Sequence, residues 1–464
     1  MESLSSNLLL LIVFALLVAG IYRLCSQKGR KYFLLLANLV FYFCCSAKYL
    51  AVMLLAGLWS FFAAKRMTAK EHRPRLIVAV GPLVLLLCLF KYWMPLNELI
   101  GNAVWLDAVR IVLPLGMSYY ILKSISYIVD VHEGRIAAEE NVVEYLSYVT
   151  FFPQIIAGPI QRYKDWKPQL GARQYRVDFR TGFYYIVQGL FMKVVIANRL
   201  SSYVLETFAS PAEANGVQLW LGFFLYAFYI YFDFAGYSNI AVGITQCFGI
   251  DCVNNFKRPY LAINLKDFWS RWHISLSTWL RDYVYIPLGG NRKGKLRKVV
   301  NVMITFLVSG MWHGSTWNFI LWGGFHGLLN APNYKKRELL PKWRVVLQTI
   351  VTFMLVSVGW VFFGTKTLKD SLDYLQGMVC RISLDMNSIQ AAIMPFSPDR
   401  DNTCLPFFLV AVIFIAIFIL KEIAVEFGII KFGKKSTFVW YVFLLAAVIL
   451  FGVFSNSTFI YAGF

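Results

Sequence analysis

The chain is 464 residues long, 58% hydrophobic and 17% aromatic, with only 15% charged residues and a mean hydropathy of +0.58. Soluble domains carry roughly a quarter charged residues, so this composition excludes a water-soluble globular protein and points to an all-α polytopic membrane protein. The formal charge of +20 then requires no nucleic acid, because lysines and arginines crowd the cytoplasmic loops of membrane proteins.

Apolar runs of about membrane-span length predict helices over 6–22, 32–47, 49–64, 76–91, 108–129, 181–205, 216–236, 299–314, 315–330, 344–363, 405–420 and 437–454. The first run has no early basic region and no small-residue cleavage site, so it reads as a retained span. The apolar stretch 143–160 holds Pro153, Gly158 and Pro159. It reads as re-entrant, since broken backbone is tolerated at membrane depth only where protein or water covers it.

Basic residues cluster after the first span (Arg23, Lys28, Arg30, Lys31) and after the third (Lys65, Arg66, Lys70, Arg73, Arg75). Six more fall in 161–180 and ten in 257–298, and others precede the last spans. All lie on one side if the spans alternate and 299–330 dips in and returns. That side is expected to be cytoplasmic, with both termini and the loops 92–107, 206–215 and 364–404 outside. A single domain over 1–464, with its catalytic core at about 108–363, is the simplest organisation. The eight cysteines have no metal-like spacing; Cys380 and Cys404 share a predicted outer loop and could pair.

Ionisable groups at membrane depth are costly and suggest function. Asp233 lies in "YIYFDFAGYSN", where hydroxyls such as Tyr237 and Ser238 could satisfy it. Lys123 lies in "YYILKSISYIVD" and could pair with a carboxylate or reach an interface. Of the five histidines, His72 and His132 lie in charged loops and are expected to be solvated. The others, His273, His313 and His326, lie among tryptophans and glycines without matching carboxylates. Their spacing and the lack of HExxH or a cysteine pair argue against zinc, and no GxSxG elbow supports a serine triad. A neutral imidazole acting as general base remains: it takes the proton of a hydroxyl as that oxygen attacks an acyl carbonyl. Gly310, Gly314, Gly323, Gly324 and Gly327 would allow close backbone approach around a narrow channel, and Trp312, Trp317 and Trp322 could line it and exclude water. On an ideal helix the thirteen residues from His313 to His326 rotate by about 1300°, so the two would not share a face.

The stretches "LPLGMSYYILKSISYIVDV", "FFPQIIAGPIQRY", "YFDFAGYSNIAVG", "NFKRPYLAINLKDFWSRWHISLSTWLRDYVYIPLGGNRKG", "MWHGSTWNFILWGGFHG" and "FIYAGF" together resemble the membrane-bound O-acyltransferase (MBOAT) family, in its bacterial alginate O-acetylation branch. The resemblance runs nearly from end to end. It implies a bundle of about 11 to 12 transmembrane or re-entrant helices around a central tunnel. It also implies transfer of an acyl group, here acetyl, from a cytoplasmic thioester to an extracytoplasmic polysaccharide. The implied catalytic residues are His313, His273 and His326, with His326 placed as a supporting hydrogen-bonder. The terminal Phe-Ile-Tyr motif implies Tyr461 as an acyl relay, against its simpler reading as an interfacial aromatic anchor. Acetyl-CoA or an acyl carrier protein is the expected donor, with no tightly bound cofactor or metal. Arg292, Lys293 and Lys295 are candidates to attract its phosphates, or serve only as positive-inside anchors. Membrane lipids and an extracytoplasmic acetyltransferase are the expected partners, and the bacterial inner membrane the expected location.

Teichoic acid D-alanyl transfer by the same fold is the alternative within the family. Its members usually carry a further histidine where this chain reads "VTFMLVSVGWVFFG". Lys123 stands where relatives commonly have an uncharged polar residue. A transporter would show inverted repeats, which are not visible, and a scaffold would need no catalytic histidine.

Overall fold

The computed structural model describes residues 7–67, 73–99, 112–170, 179–332, 334–335, 337–393, 404–431 and 433–454. Every regular element among them is helical. The described residues form two compact units, one within 1–186 and 238–254, the other within 187–237 and 255–457. Among the described residues, five helical stretches are long and apolar enough to cross a membrane: Arg30–Lys65, Pro74–Trp93, Gly216–Cys247, Lys342–Gly364 and Lys434–Phe451. The apolar window of Gly216–Cys247 is 78% buried, against 17% for Lys434–Phe451. The first is wrapped by protein, while the second is left mostly uncovered by it.

In the first unit, helix Met117–His132 buries fifteen of its sixteen residues. It starts well inside the predicted 108–129 run, behind Pro114 and Gly116. Gly116 has φ +67, and a Cβ there would lie 2.2 Å from Ile155 Cγ2, so conformation and space both demand glycine. His132, expected to be solvated, is buried at this helix's end, because the burial of the helix extends to its last residue, just before the charged loop. His72 lies outside the described residues.

The stretch read as re-entrant folds as two short buried helices, Val142–Val149 and Phe152–Ile155. The longer rises only about 12 Å, too short for a hydrocarbon core of about 30 Å. Fully buried Asn38 satisfies the backbone at the break. Its amide donates to the Ser147 carbonyl (3.1 Å) and Thr150 hydroxyl (3.2 Å), and its oxygen accepts from the Phe152 amide (3.2 Å). The Lys123 ammonium donates to the Tyr148 carbonyl and to Gln154 Oε1, 4.3 Å from the centre of the Tyr148 ring. Among the described residues no carboxylate pairs with it.

In the second unit the predicted 181–205 helix is interrupted. Helix Phe179–Leu190 runs into a π-helical segment, Phe191–Ala197, before Asn198–Ala209 resumes. The segment presents Lys193 to Asp233, and both are buried. Asp233 therefore has a cation partner forty residues away, which the local sequence around it does not show.

Two side chains gather this unit's loops. Arg381 donates to the carbonyls of Pro211 (2.8 Å), Ala212 (2.8 Å) and Ala214 (3.0 Å), joining 206–215 to 364–404. Glu426 forms ion pairs with Arg258, Arg271 and Arg337, joining 257–298 to 331–343 and to the end of helix Cys404–Glu426. Helix Lys342–Gly364 leads from the second group to the first. Two sets of loops that the charge pattern assigns to opposite sides are thus each tied together. Cys380 is exposed, while the Cys404 side chain lies outside the described residues.

Candidate catalytic site

Three elements carry the histidines. His313 is the last residue of helix Gly294–His313, and His326 lies in Trp317–Asn330, which folds back against it. The turn is tight because glycines line the contact: a Cβ on Gly310 would lie 2.2 Å from the Phe319 carbonyl oxygen, and one on Gly323 2.5 Å from that of Phe306. Gly314 and Gly327 are similarly crowded, whereas Gly324, expected to share this role, faces open space. His273 joins the short helices Leu265–Arg271 and Ile274–Leu280 in the left-handed region, φ 43 and ψ 52. That conformation is uncommon outside glycine and is kept only where surroundings impose it.

All three rings are buried and separated by indoles. The Trp312 ring centre is 6.3 Å from His273 and 4.9 Å from His313. Trp322 is 4.8 Å from His313 and 5.0 Å from His326. Phe234 packs edge-on to His273 at 4.7 Å, and Phe363 lies 5.6 Å from His313. Trp317 is instead 72% exposed and lies apart from this wall.

Partners fix the tautomers. His313 Nδ1 lies 2.7 Å from the Ser309 carbonyl one turn back. A carbonyl only accepts, so Nδ1 carries the proton and the lone pair sits on Nε2. His326 is the reverse. Its Nδ1 accepts from the Trp269 indole N–H at 3.3 Å, which puts the ring proton on Nε2, against Gly359; a Cβ there would lie 2.6 Å from that nitrogen. Of the two, only His313 presents a basic nitrogen beyond its supporting bond. The Trp322 indole N–H, the Ser309 hydroxyl and His326 Nε2 are buried with no hydrogen-bond partner among the described residues. Such groups are rare because they are costly.

Sequence reasoning did not single out Ser309, Trp269 or Gly359. Ser309 was accessible, since it lies four residues before His313 on a predicted helix, where side chains meet the preceding turn. Trp269 and Gly359 reach His326 through the fold, across separations no local pattern encodes. Arg292, Lys293 and Lys295 are exposed at the opposite end of a 20-residue helix from His313, a length of about 30 Å. The structure does not bring them to the histidines. Tyr461 lies outside the described residues.

A family description, the membrane-bound O-acyltransferases, matches residues 135–334. The chain is 37% identical over 383 residues to a probable alginate O-acetylase of Pseudomonas putida, covering 78% of this chain and 77% of that protein. It is 34% identical over 391 residues to a peptidoglycan O-acetyltransferase of Helicobacter pylori, covering 75% and 73%. A teichoic acid D-alanyltransferase of Bacillus subtilis is 31% identical over 271 residues, covering 54% of this chain and 69% of that one.

Proposed function

The chain belongs to the membrane-bound O-acyltransferase family and is an O-acyltransferase, and from that premise we propose that it moves an acetyl group from a cytoplasmic thioester to an extracytoplasmic polysaccharide, with His313 as general base. The observation that carries this is the Ser309 carbonyl on His313 Nδ1, which directs the lone pair to Nε2. In the reaction, Nε2 takes the hydroxyl proton of the acceptor as its oxygen bonds to the thioester carbonyl carbon. The carbon–sulfur bond then breaks, and the leaving thiolate recovers the proton from the imidazolium. The buried, partnerless polar atoms nearby supply groups that a polar substrate can satisfy, and the indole walls keep water from the thioester.

His273 faces Trp312 and would orient the reacting groups from the other wall, while His326, its lone pair engaged by Trp269, supports the hairpin. Acetyl-CoA is the preferred donor and an acyl carrier protein the alternative, its phosphates drawn by the exposed Arg292, Lys293 and Lys295. Tyr461 would accept the acetyl group and pass it to an extracytoplasmic acetyltransferase. The bacterial inner membrane is the proposed location.

The test is His313→Ala in the full chain, with expression and melting temperature kept. Loss of glycan acetylation by about 10²-fold or more is expected for a general base, and unchanged acetylation overturns the reading. Tyr461→Phe keeps the aromatic ring and removes only the hydroxyl; acetylation at the wild-type level would rule out the relay alone. D-alanine in place of acetate on the product would assign the donor to the alternative branch.

A further inference from the structure

We infer that Glu426, a residue beyond the matched segment 135–334, is a positioning residue that fixes the conformation of His273; the inference rests on the proposed role of His273 in transfer. His273 holds a left-handed backbone, so something must impose it. Two backbone bonds frame it. The Lys257 amide donates to the Arg271 carbonyl (2.9 Å), and the Ile274 amide donates to the Asn255 carbonyl (3.0 Å). The Asn255 side chain adds a bond from the Ser275 amide at 3.2 Å. Segments 255–258 and 271–275 thus lie side by side, with His273 between the rungs.

Glu426 joins the same two segments by charge. Its Oε2 lies 2.8 Å from Arg258 Nε on one and its Oε1 2.9 Å from Arg271 Nη1 on the other. Arg337 pairs with Oε1 and also donates to the Leu261 carbonyl at 3.1 Å. Asp267 turns Arg271 toward this node by a 2.7 Å pair with its Nε. Arg258 is itself left-handed, φ 48, immediately before Pro259, where the backbone is already restricted. Both left-handed non-glycine residues of the described chain therefore lie in the two segments that this carboxylate clasps. Glu426 is almost buried, at 8% side-chain exposure, so its attraction to the guanidiniums is little screened. Glu426→Gln keeps the shape and removes the charge, and the strained pair should then relax, turning the His273 ring from its place against Phe234 and Trp312.

The experiment compares wild type, Glu426→Gln, His273→Ala and the double variant, each as the full chain in lipid nanodiscs. Hydrogen exchange of peptides holding Ile274 and Ser275 is read by mass spectrometry, and acetyl transfer by initial rates. Exchange at these amides is expected to rise at least about tenfold in Glu426→Gln, for a local opening cost of the size of a lost charged contact. The transfer rate should fall at least about tenfold at constant KM, with no further fall when the substitution is added to His273→Ala, because a positioning residue acts only through its target. Unchanged exchange, or losses that add in the double variant, would overturn the inference. Should Glu426→Gln not fold, Arg337→Gln removes one guanidinium from outside both segments and must raise exchange at the same amides; no rise there overturns it too. If His273→Ala transfers at the wild-type rate, the reading of the site fails, while the exchange measurement still decides whether Glu426 holds the segment.

Discussion

His313 and His326 are both buried imidazoles thirteen residues apart on one hairpin, yet their partners give them opposite tautomers. The base form of His313 is neutral, so protonation removes it. With chemistry limiting, the transfer rate should fall in acid as the imidazole takes up a proton; a flat profile from acid to neutral pH would count against the base. For His326 the sensitive neighbour is Gly359. Gly359→Ala forces a Cβ toward Nε2 and should cost about 1–3 kcal/mol, as overpacking does. In a His326→Ala background the same substitution should cost much less, a non-additivity that melting curves would show. The histidines themselves were legible because titratable rings in apolar sequence are conspicuous. The tautomer of His326 was not, since Trp269 sits fifty-seven residues from it.

At the scale of helices, the glycines are not equivalent. Gly310→Ala should strongly destabilise the hairpin, while Gly324→Ala, which meets nothing within 4 Å, should be neutral or slightly stabilising through better helix propensity. Thermal unfolding in detergent distinguishes them. The buried Lys193–Asp233 pair makes a second test. Asp233→Ala leaves an uncompensated ammonium and should cost about 3–5 kcal/mol, more than replacing both partners with apolar residues. Among the connecting segments, Glu139 is opposed by burial, but hydrogen bonds from Lys167, Tyr163 and the Asn141 amide hold its carboxyl below the usual range. Its contribution is present above the unfolded value of about 4.3 and is lost as pH falls through the lower folded value. Glu139→Gln should therefore melt earlier than wild type near neutral pH and converge with it in acid. The run 181–205 read as one helix because hydropathy does not register a π-helical turn. Only the pairing of Lys193 with a distant aspartate reveals why one is there.

At the scale of the whole chain, hydropathy and basic loops made the fold class legible, and the motifs made the family legible. The two sets of loops gathered by Arg381 and Glu426 match the charge pattern's division, although neither side chain attracted notice in the sequence, where each is one charge among many. The expected orientation puts 257–298 and 331–343 in the cytoplasm. A cysteine engineered within 291–298 should therefore react with an impermeant maleimide only after the membrane is opened; labelling of intact cells would reverse the topology.

The last described turn is anchored to the π-helical segment and the helix after it. Val453 N–H donates to the Val194 carbonyl at 2.8 Å, Asn198 Nδ2 to the Val453 carbonyl at 2.8 Å, and Arg199 Nη2 to the Phe451 carbonyl at 2.6 Å. A chain moored at a fixed point has a leash of countable length. Tyr461 follows Phe454 by seven residues (461 minus 454), so covalent geometry keeps its Cα within about 25 Å of Phe454, beside that mooring. Within such a volume one phenol is a local concentration of order millimolar or higher, whatever the amount of enzyme. A relay at Tyr461 would then depend on leash length rather than on protein concentration. Lengthening the segment after Phe454 with glycine and serine should dilute the acceptor and slow transfer gradually, while added free tyrosine should not restore it.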